Sequence, residues 1–193
     1  MTKPARTEKW LNLPNTITAV RMAIAPLVLW LLLTHPDKTD PIRWLSVLLF
    51  VAAISTDGLD GRIARSRGQV TNLGKLLDPI ADKFLIGAAL IGLSALGEVP
   101  WLITGLILVR EVGITLYRFK VLRSRDISAN AGGKLKTILQ GITLGFLVAP
   151  IDYYLPFLKP LEIIALYLTL TVTLWTGLAY LVEAFRQSRN SQR

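Results

Sequence analysis

The chain has 193 residues, of which 52% are hydrophobic and 18% are charged, and its net charge is +9. This composition is too apolar for an ordinary soluble domain of this length, and the absence of cysteine from the sequence excludes disulfides, thiolate catalysis and cysteine-ligated metal centres. The apolar residues fall in runs of about 20, the length that crosses a bilayer core of about 30 Å.

In chain order, a short N-terminal segment is followed by six predicted membrane spans and a basic tail. The segment covers 1–12, the spans cover 15–34, 42–65, 78–97, 100–121, 134–152 and 160–185, and the tail covers 186–193. Because the N-terminal segment lacks the features of a signal peptide, we expect the first span to stay in the protein. The sequence therefore predicts an all-α integral membrane protein, a single six-helix bundle. Gly141 and Gly145 in the fifth span indicate close helix packing inside this bundle.

Lysine and arginine are distributed unequally about these spans. The N-terminal segment, the loops 62–76 and 118–136 and the tail together hold sixteen of them, whereas the opposite side holds only Lys38, Arg43 and Lys159. The positive-inside rule then places both termini on the cytoplasmic side of a plasma (inner) membrane. Since these charges flank apolar spans, we expect anionic membrane lipids and not nucleic acid as their partners.

Four aspartates lie where the second and third spans meet the predicted cytoplasmic side. Asp57 and Asp60 are three residues apart and Asp78 and Asp82 are four apart, so each pair shares one helix face. A connection of about a dozen residues would let the two helices run antiparallel, with all four carboxylates close together. Such carboxylates repel unless cations neutralise them, and all-oxygen ligation suits Mg²⁺ or Mn²⁺. We therefore predict a site for two metal ions that handles a diphosphate.

A less specific interpretation is that these acids only face water at helix ends. It suits Asp78, which precedes a proline, better than Asp57, which follows a long apolar run. An acid inside a membrane span is by default a functional residue.

Small residues accompany the acids. Gly61 and Ala64 follow within a turn and leave room for a nucleotide, and Gly74 gives freedom to a loop before the third helix. Arg65 supplies a fixed cation suited to a phosphate oxygen.

The pattern from Asp57 to Asp82 resembles the signature of the CDP-alcohol phosphatidyltransferase family. Every fixed position of D-x2-D-G-x2-A-R-x8-G-x3-D-x3-D is present. Within the family, the segments 13–21, 69–83, 109–111 and 133–140 resemble the bacterial phosphatidylglycerophosphate synthases. CDP-alcohol-type cardiolipin synthases begin similarly, and phosphatidylinositol phosphate synthases share the core signature.

The resemblance implies a reaction and assigns roles. CDP-diacylglycerol and glycerol 3-phosphate would give phosphatidylglycerophosphate and CMP, and the protein would be a homodimer. Asp57, Asp60, Asp78 and Asp82 would bind the metal ions, and Asp82 is the candidate general base. The residues implied in binding CDP-diacylglycerol are Gly61, Ala64, Arg65 and Gly74. Asn15 and Thr18 either contact the nucleotide of CDP-diacylglycerol as well or cap the first helix.

The implied acceptor carries a phosphate, which requires cations. Arg110 lies inside an apolar run, where an unpaired arginine is unfavourable, and the adjacent Glu111 is expected to point elsewhere on the helix. We predict an acceptor-phosphate site of Arg110, Arg118 and Lys134. The alternative is that these three cations, like Lys136, contact lipid head groups. Lys83 and Lys136 are expected only to offset charge or flank a span, and Arg21 to pair with an acid or contact substrate.

Another acceptor alcohol and a cation transporter are the alternatives to this function. The acceptor could instead be inositol phosphate or phosphatidylglycerol, and a basic pocket favours a small phosphorylated alcohol over phosphatidylglycerol. A cation transporter would also place acids in the membrane, but along several helices. Here the acids cluster at one end, and we expect almost none in the outer half of the bundle.

Overall fold

The structure is a computed structural model that describes residues 13–66, 72–121 and 131–190, with the side chains of 15–56, 77, 79–117 and 135–182. Most of these residues are helical, and no β-strand occurs among them, which confirms the all-α prediction. The helices are α1 (Leu13–Thr34), α2 (Pro41–Ser66), α3 (Asn72–Ala95), α4 (Trp101–Val121), α5 (Ala131–Val148), α6 (Ile151–Tyr154) and α7 (Lys159–Asn190), with a 3₁₀ turn at Pro156–Leu158.

The outward faces of the long helices are apolar. Leu102 is 75% exposed and Trp175 is 74% exposed, whereas Arg21 and Glu111 are buried. This distribution suits a hydrocarbon solvent and not water. In the described ranges, Asn15–Thr34 and Pro156–Val182 are by themselves long and apolar enough to cross a membrane. The count of six spans stays a prediction.

Helix α3 lies at the centre of the bundle and packs against α1, α2, α4 and α5. Its inner face alternates small and large apolar residues, which lets neighbouring helices approach and fill the gaps. A Cβ atom added to Gly92 would lie 2.8 Å from Leu32 Cδ1, so α1 and α3 meet closely there. The fully buried side chains of this face are Ala81, Leu85, Ile86, Ala89, Leu90 and Leu93.

Helix α3 starts earlier than the predicted third span. It begins at Asn72, so Gly74 lies within the helix and not in a loop before it, and α2 and α3 are separated only by 67–71. Leu73, Lys75 and Leu76 favour helix, which offsets the single glycine. The helix continues through Pro79, whose nitrogen carries no hydrogen, so the backbone hydrogen bond from residue 79 to Lys75 O is missing from the turn before it.

Gly141 faces α2. A Cβ atom built there would lie 2.7 Å from Ile54 Cδ1, and one built on Gly145 would lie 3.8 Å from Val51 Cγ2. This confirms that the glycine pair permits close packing between α5 and α2 inside the bundle.

Charged residues form a network at the end of the bundle opposite Asp82. Lys38 Nζ lies 2.7 Å from Asp152 Oδ1 and 3.7 Å from Glu98 Oε2, and Lys159 Nζ lies 2.7 Å from Asp152 Oδ2. The expectation that this half of the bundle has almost no acids is therefore wrong. The reason is that these acids lie at helix ends and turns, where three cations predicted for the same side neutralise them. We call the residues Lys38, Arg43, Glu98, Asp152, Lys159 and Glu162 the outer network.

Candidate active site

The predicted site residues lie on five helices, with Asn15 and Thr18 on α1. Asp57, Asp60, Gly61, Ala64 and Arg65 belong to α2, Gly74 and Asp78 to α3, Arg118 to α4 and Lys134 to α5. The side chains of these nine residues lie outside the described part of the structure. Helices α2 and α3 pack against each other, so the two aspartate pairs are carried by neighbouring helices.

Asp82 is described, and it faces a cation. Its side chain is 13% exposed, and Lys83 Nζ lies 2.9 Å from Asp82 Oδ2. The same ammonium lies 2.7 Å from Glu111 Oε2 on α4. Lys83 therefore bridges two carboxylates on neighbouring helices, one of which belongs to the aspartate signature.

Glu111 receives three cations. Its side chain is 2% exposed, and besides Lys83 it accepts hydrogen bonds from Lys136 Nζ on α5 and from Arg110 Nη1, the latter at 2.9 Å. The expectation that Arg110 does not pair with Glu111 is wrong. Consecutive Cα–Cβ bonds diverge on a helix, but a long guanidinium side chain bends back far enough to reach its neighbour. Arg110 Nη2 also donates to Thr176 Oγ1 on α7 at 3.0 Å.

Lys83, Glu111 and Lys136 had no predicted role in the site. Each of them lies in or beside an apolar run, and Lys136 is only 3% exposed. A charged residue in such a position is expected to have a partner or a function. That signal was available for all three, but their mutual contacts join three separate helices and are not visible from spacing along the chain.

A groove between α1 and α2 leads toward the aspartates. Arg21 on its wall is 1% exposed and donates from Nε to Ala53 O at 3.1 Å, so α1 is tied to α2 there. Thr56, at the far end of the groove, immediately precedes Asp57. Asn15 and Thr18 are buried and lie in the first turns of α1, near this end. The groove is lined by Thr16, Ile17, Val20, Arg21, Ile24, Ala52, Ala53 and Thr56.

The acids fit a divalent metal by their donor chemistry. Four carboxylates offer only oxygen ligands, which Mg²⁺ and Mn²⁺ accept and which zinc or copper sites seldom use alone. Among the residues with described side chains no three acids or histidines converge on one point. Three of the four aspartates fall outside that set.

The sequence profile of the CDP-alcohol phosphatidyltransferases matches residues 11–175. The chain belongs to this family. The family resemblance inferred from the aspartate signature is thereby confirmed, and members of this membrane-embedded family generally use divalent metals.

Curated relatives align over most of the chain. A protein of Mycobacterium tuberculosis named "Probable phosphatidylglycerophosphate synthase" is 40% identical over 178 residues, which cover 91% of this chain and 82% of the relative. The "CDP-diacylglycerol--glycerol-3-phosphate 3-phosphatidyltransferase" of Bacillus subtilis is 34% identical over 193 residues, covering 93% of this chain and 98% of its own length. A protein of the same name from Rickettsia bellii is 42% identical over 141 residues, covering 71% of this chain and 75% of its own. The narrower resemblance to this group is confirmed.

Proposed function

We propose that this protein transfers the phosphatidyl group of CDP-diacylglycerol to glycerol 3-phosphate, giving phosphatidylglycerophosphate and CMP. The observation that carries the proposal is the agreement between two independent features. The relatives that align over nearly the whole chain bear the name of this reaction. Three cations, Lys83, Arg110 and Lys136, lie around one carboxylate next to Asp82, where a phosphorylated acceptor would be needed.

The divalent ions would be held by Asp57, Asp60, Asp78 and Asp82. Four carboxylates carry four negative charges, which two Mg²⁺ or Mn²⁺ ions would balance. Bound there, the ions would neutralise the diphosphate of CDP-diacylglycerol and stabilise CMP as the leaving group. The described side chain, Asp82, is partly buried and close to a cation, as a carboxylate in such a site would be.

Asp82 would also accept the proton of the acceptor hydroxyl. The hydroxyl oxygen forms a bond to the phosphorus that carries the diacylglycerol, the bond from that phosphorus to the bridging oxygen breaks, and CMP leaves with the electron pair. The Lys83 ammonium contacts Asp82 Oδ2 and fixes the orientation of the carboxylate relative to α3. General-base action of this kind contributes about 10²- to 10⁴-fold in rate.

The lipid and nucleotide portions would bind along α1 and α2. The groove ending at Thr56 has an apolar wall, which suits an acyl chain, and leads to the position of Asp57. Gly61, Ala64, Arg65 and Gly74 would cradle the cytidine diphosphate. Asn15 and Thr18, in the first turns of α1, would contribute polar contacts at the same end.

The acceptor phosphate would bind on the α4–α5 side. Arg110 is the member of the predicted set whose side chain is described. Arg118 lies nearer the C-terminal end of α4, and Lys134 lies near the N-terminal end of α5. A cationic pocket favours glycerol 3-phosphate or inositol phosphate over phosphatidylglycerol. Glu111 with Lys83, Arg110 and Lys136 forms what we call the Glu111 cluster. A cation path across the bundle is disfavoured, because the buried apolar residues of α3 separate this cluster from the outer network.

The test is CMP release by the purified protein in detergent, with CDP-diacylglycerol and Mg²⁺ present and one acceptor added at a time. Release with glycerol 3-phosphate alone is the expected result. Release only with inositol phosphate or phosphatidylglycerol would keep the family and refute the acceptor. Chelation of metal with EDTA should abolish release, and separate addition of Mg²⁺ and Mn²⁺ should show which ion restores it. Asp57→Asn is the matched inactive control.

The orientation and assembly of the protein are part of the proposal. Both termini and the active site would face the cytoplasm of a plasma (inner) membrane, and the protein would be a homodimer. Because the sequence has no cysteine, the single substitutions Thr39→Cys and Ser191→Cys each introduce one thiol. Reaction of that thiol with an impermeant maleimide reports the side of the membrane on which the residue lies. The first should react from outside intact cells and the second only after lysis. Cross-linking in membranes tests the dimer.

A further inference from the structure

The Glu111 carboxylate is buried deep in the bundle, yet it has more cationic partners than its charge requires. Lys83, Arg110 and Lys136 each lie within ion-pair distance of it, and they come from α3, α4 and α5. A buried pair held only for stability tends toward neutrality, because each uncompensated charge in a low-dielectric interior is strongly unfavourable. The described cluster is instead positive.

The excess charge matches one phosphate monoester. With Asp82 assigned to the metal ions, three cations exceed the single Glu111 carboxylate by two charges. A phosphate monoester carries a charge of about −1.5 to −2 at pH 7. Even when Asp82 is counted, the cluster keeps one positive charge. An anion of this kind would therefore complete the charge balance.

Arg110 also contacts α7, so a second helix helps to fix the position of its side chain. Its Nη2 donates to Thr176 Oγ1 on α7, and its side chain lies against Gly177. A Cβ atom added to Gly177 would lie 3.0 Å from both Arg110 Cγ and Nε. A side chain at this position would therefore require the Arg110 side chain to shift.

We propose that Glu111 is a positioning residue that gathers Lys83, Arg110 and Lys136 into one preassembled pocket for the acceptor's phosphate, next to Asp82. The carboxylate does not contact the acceptor itself. It holds three mutually repelling cations at one point, so that the phosphate meets them already in place. The inference rests on the proposed function and names the part of the site that recognises the acceptor.

The first variant is Glu111→Gln, which keeps the size of the side chain and removes its charge. The half-saturating concentration of glycerol 3-phosphate should rise about tenfold or more, as for loss of one partner of a buried charge pair. The half-saturating concentration of CDP-diacylglycerol should stay unchanged. Glu98→Gln is the matched control, since Glu98 also accepts from buried and half-buried cations but at the opposite end. It should lower thermal stability and leave acceptor affinity unchanged.

A double-mutant cycle with Lys136→Met separates positioning from simple charge compensation. If Glu111 positions the pocket cations, Lys136→Met weakens acceptor binding and the double variant binds no better than either single one. If Glu111 only offsets the buried ammonium of Lys136, the double variant regains the affinity of the unmodified protein, and the proposal is overturned. An unchanged acceptor affinity in folded Glu111→Gln would overturn it equally.

A second variant and the choice of acceptor keep the proposal testable if the first variant does not fold or the proposed acceptor is wrong. If Glu111→Gln does not fold, Gly177→Ala serves in its place, because it displaces Arg110 without removing a charge and should raise the same half-saturating concentration. If the unmodified protein releases CMP only with inositol phosphate, the proposed acceptor is wrong, and the same loss of affinity with that phosphate still supports the role of Glu111. If the unmodified protein uses only phosphatidylglycerol, which has no phosphate monoester, both the proposed acceptor and the proposed role of Glu111 are wrong.

Discussion

Arg43 donates from one guanidinium nitrogen to both carboxylate oxygens of Glu98, and this ion pair joins the start of α2 to the turn between α3 and α4. Arg43 Nη2 lies 2.9 Å from Glu98 Oε1 and 2.8 Å from Oε2, and the arginine side chain is fully buried. Its Nε also donates to Val148 O at the end of α5, at 3.0 Å. One guanidinium thus ties three segments together at the outer end.

Arg43→Met should destabilise the protein without altering its substrate affinities. Removing Arg43 takes both of its hydrogen bonds from Glu98 and leaves that carboxylate only the Lys38 ammonium at 3.7 Å. Breaking a buried pair by removing one partner costs about 3–5 kcal/mol. The double variant Arg43→Met/Glu98→Met should recover much of the lost stability, because neither charge is then left alone. Thermal unfolding in detergent measures both. Equal stability of Arg43→Met and the unmodified protein would show that the pair does not hold the outer end.

The outer network should also make stability depend on pH. Partial burial raises the pKa of Asp152, but hydrogen bonds from Lys159 and Lys38 and their charges outweigh it, so that the pKa lies below its ordinary 3.8. A carboxyl whose pKa is lower in the folded state stabilises the fold above pH about 4, and this contribution is lost as the pH falls through the folded pKa.

Asp152→Asn removes this contribution at neutral pH. The difference in melting temperature between the unmodified protein and the variant should therefore be largest above pH about 5 and should shrink toward pH about 3. A difference that stays constant across this range would mean that the two lysines do not stabilise the ionised carboxylate.

Gly92→Ala tests the close approach of α1 and α3. The added methyl would lie 2.8 Å from Leu32 Cδ1, and Leu32 is fully buried, so it has no free space into which to move. Overpacking of this kind costs about 1–3 kcal/mol. Gly113→Ala on α4 is the matched control, because nothing lies within 4 Å of its added Cβ. The control should be neutral or slightly stabilising in the same unfolding measurement, and a reversed order would refute this packing.

Asp82→Asn tests the proposed proton transfer. The amide keeps a side chain of the same shape beside Lys83 but accepts no proton, so turnover should fall about 100-fold or more. The half-saturating concentration of glycerol 3-phosphate should change little, since the Glu111 cluster remains in place. Single-turnover CMP release separates the chemical step from binding. Near-normal turnover would assign the proton to another base.

The sequence alone was sufficient to predict the fold class and the family, whereas the roles of the site residues stay predictions. Long apolar runs predict helices because the bilayer leaves backbone groups no other partner, and α1 and α2 begin and end within two residues of the predicted spans. The aspartates were informative because a carboxylate is unfavourable in such runs. Asp82, whose side chain the structure describes, lies 2.9 Å from the Lys83 ammonium.

The partners of these charges could not be predicted from the same reasoning. Lys83 reaches Glu111 across a helix interface, and Arg110 bends to its own neighbour; both depend on how helices pack and on side-chain rotamers. The early start of α3 was missed because Gly74 and Pro79 suggest a loop by local preference, whereas the packed helices on either side support a continuous helix.

The central place of α3 has a consequence for how the site comes into being during synthesis. Helices α1–α3 carry all four signature aspartates and Lys83, whereas Arg110, Glu111 and Lys136 follow on α4 and α5. A nascent chain that has inserted its first half therefore presents the acids and Lys83 without Arg110, Lys136 and the Glu111 carboxylate that would complete the proposed pocket. The site is completed only when α5 enters the membrane, so insertion itself acts as the last step of its assembly.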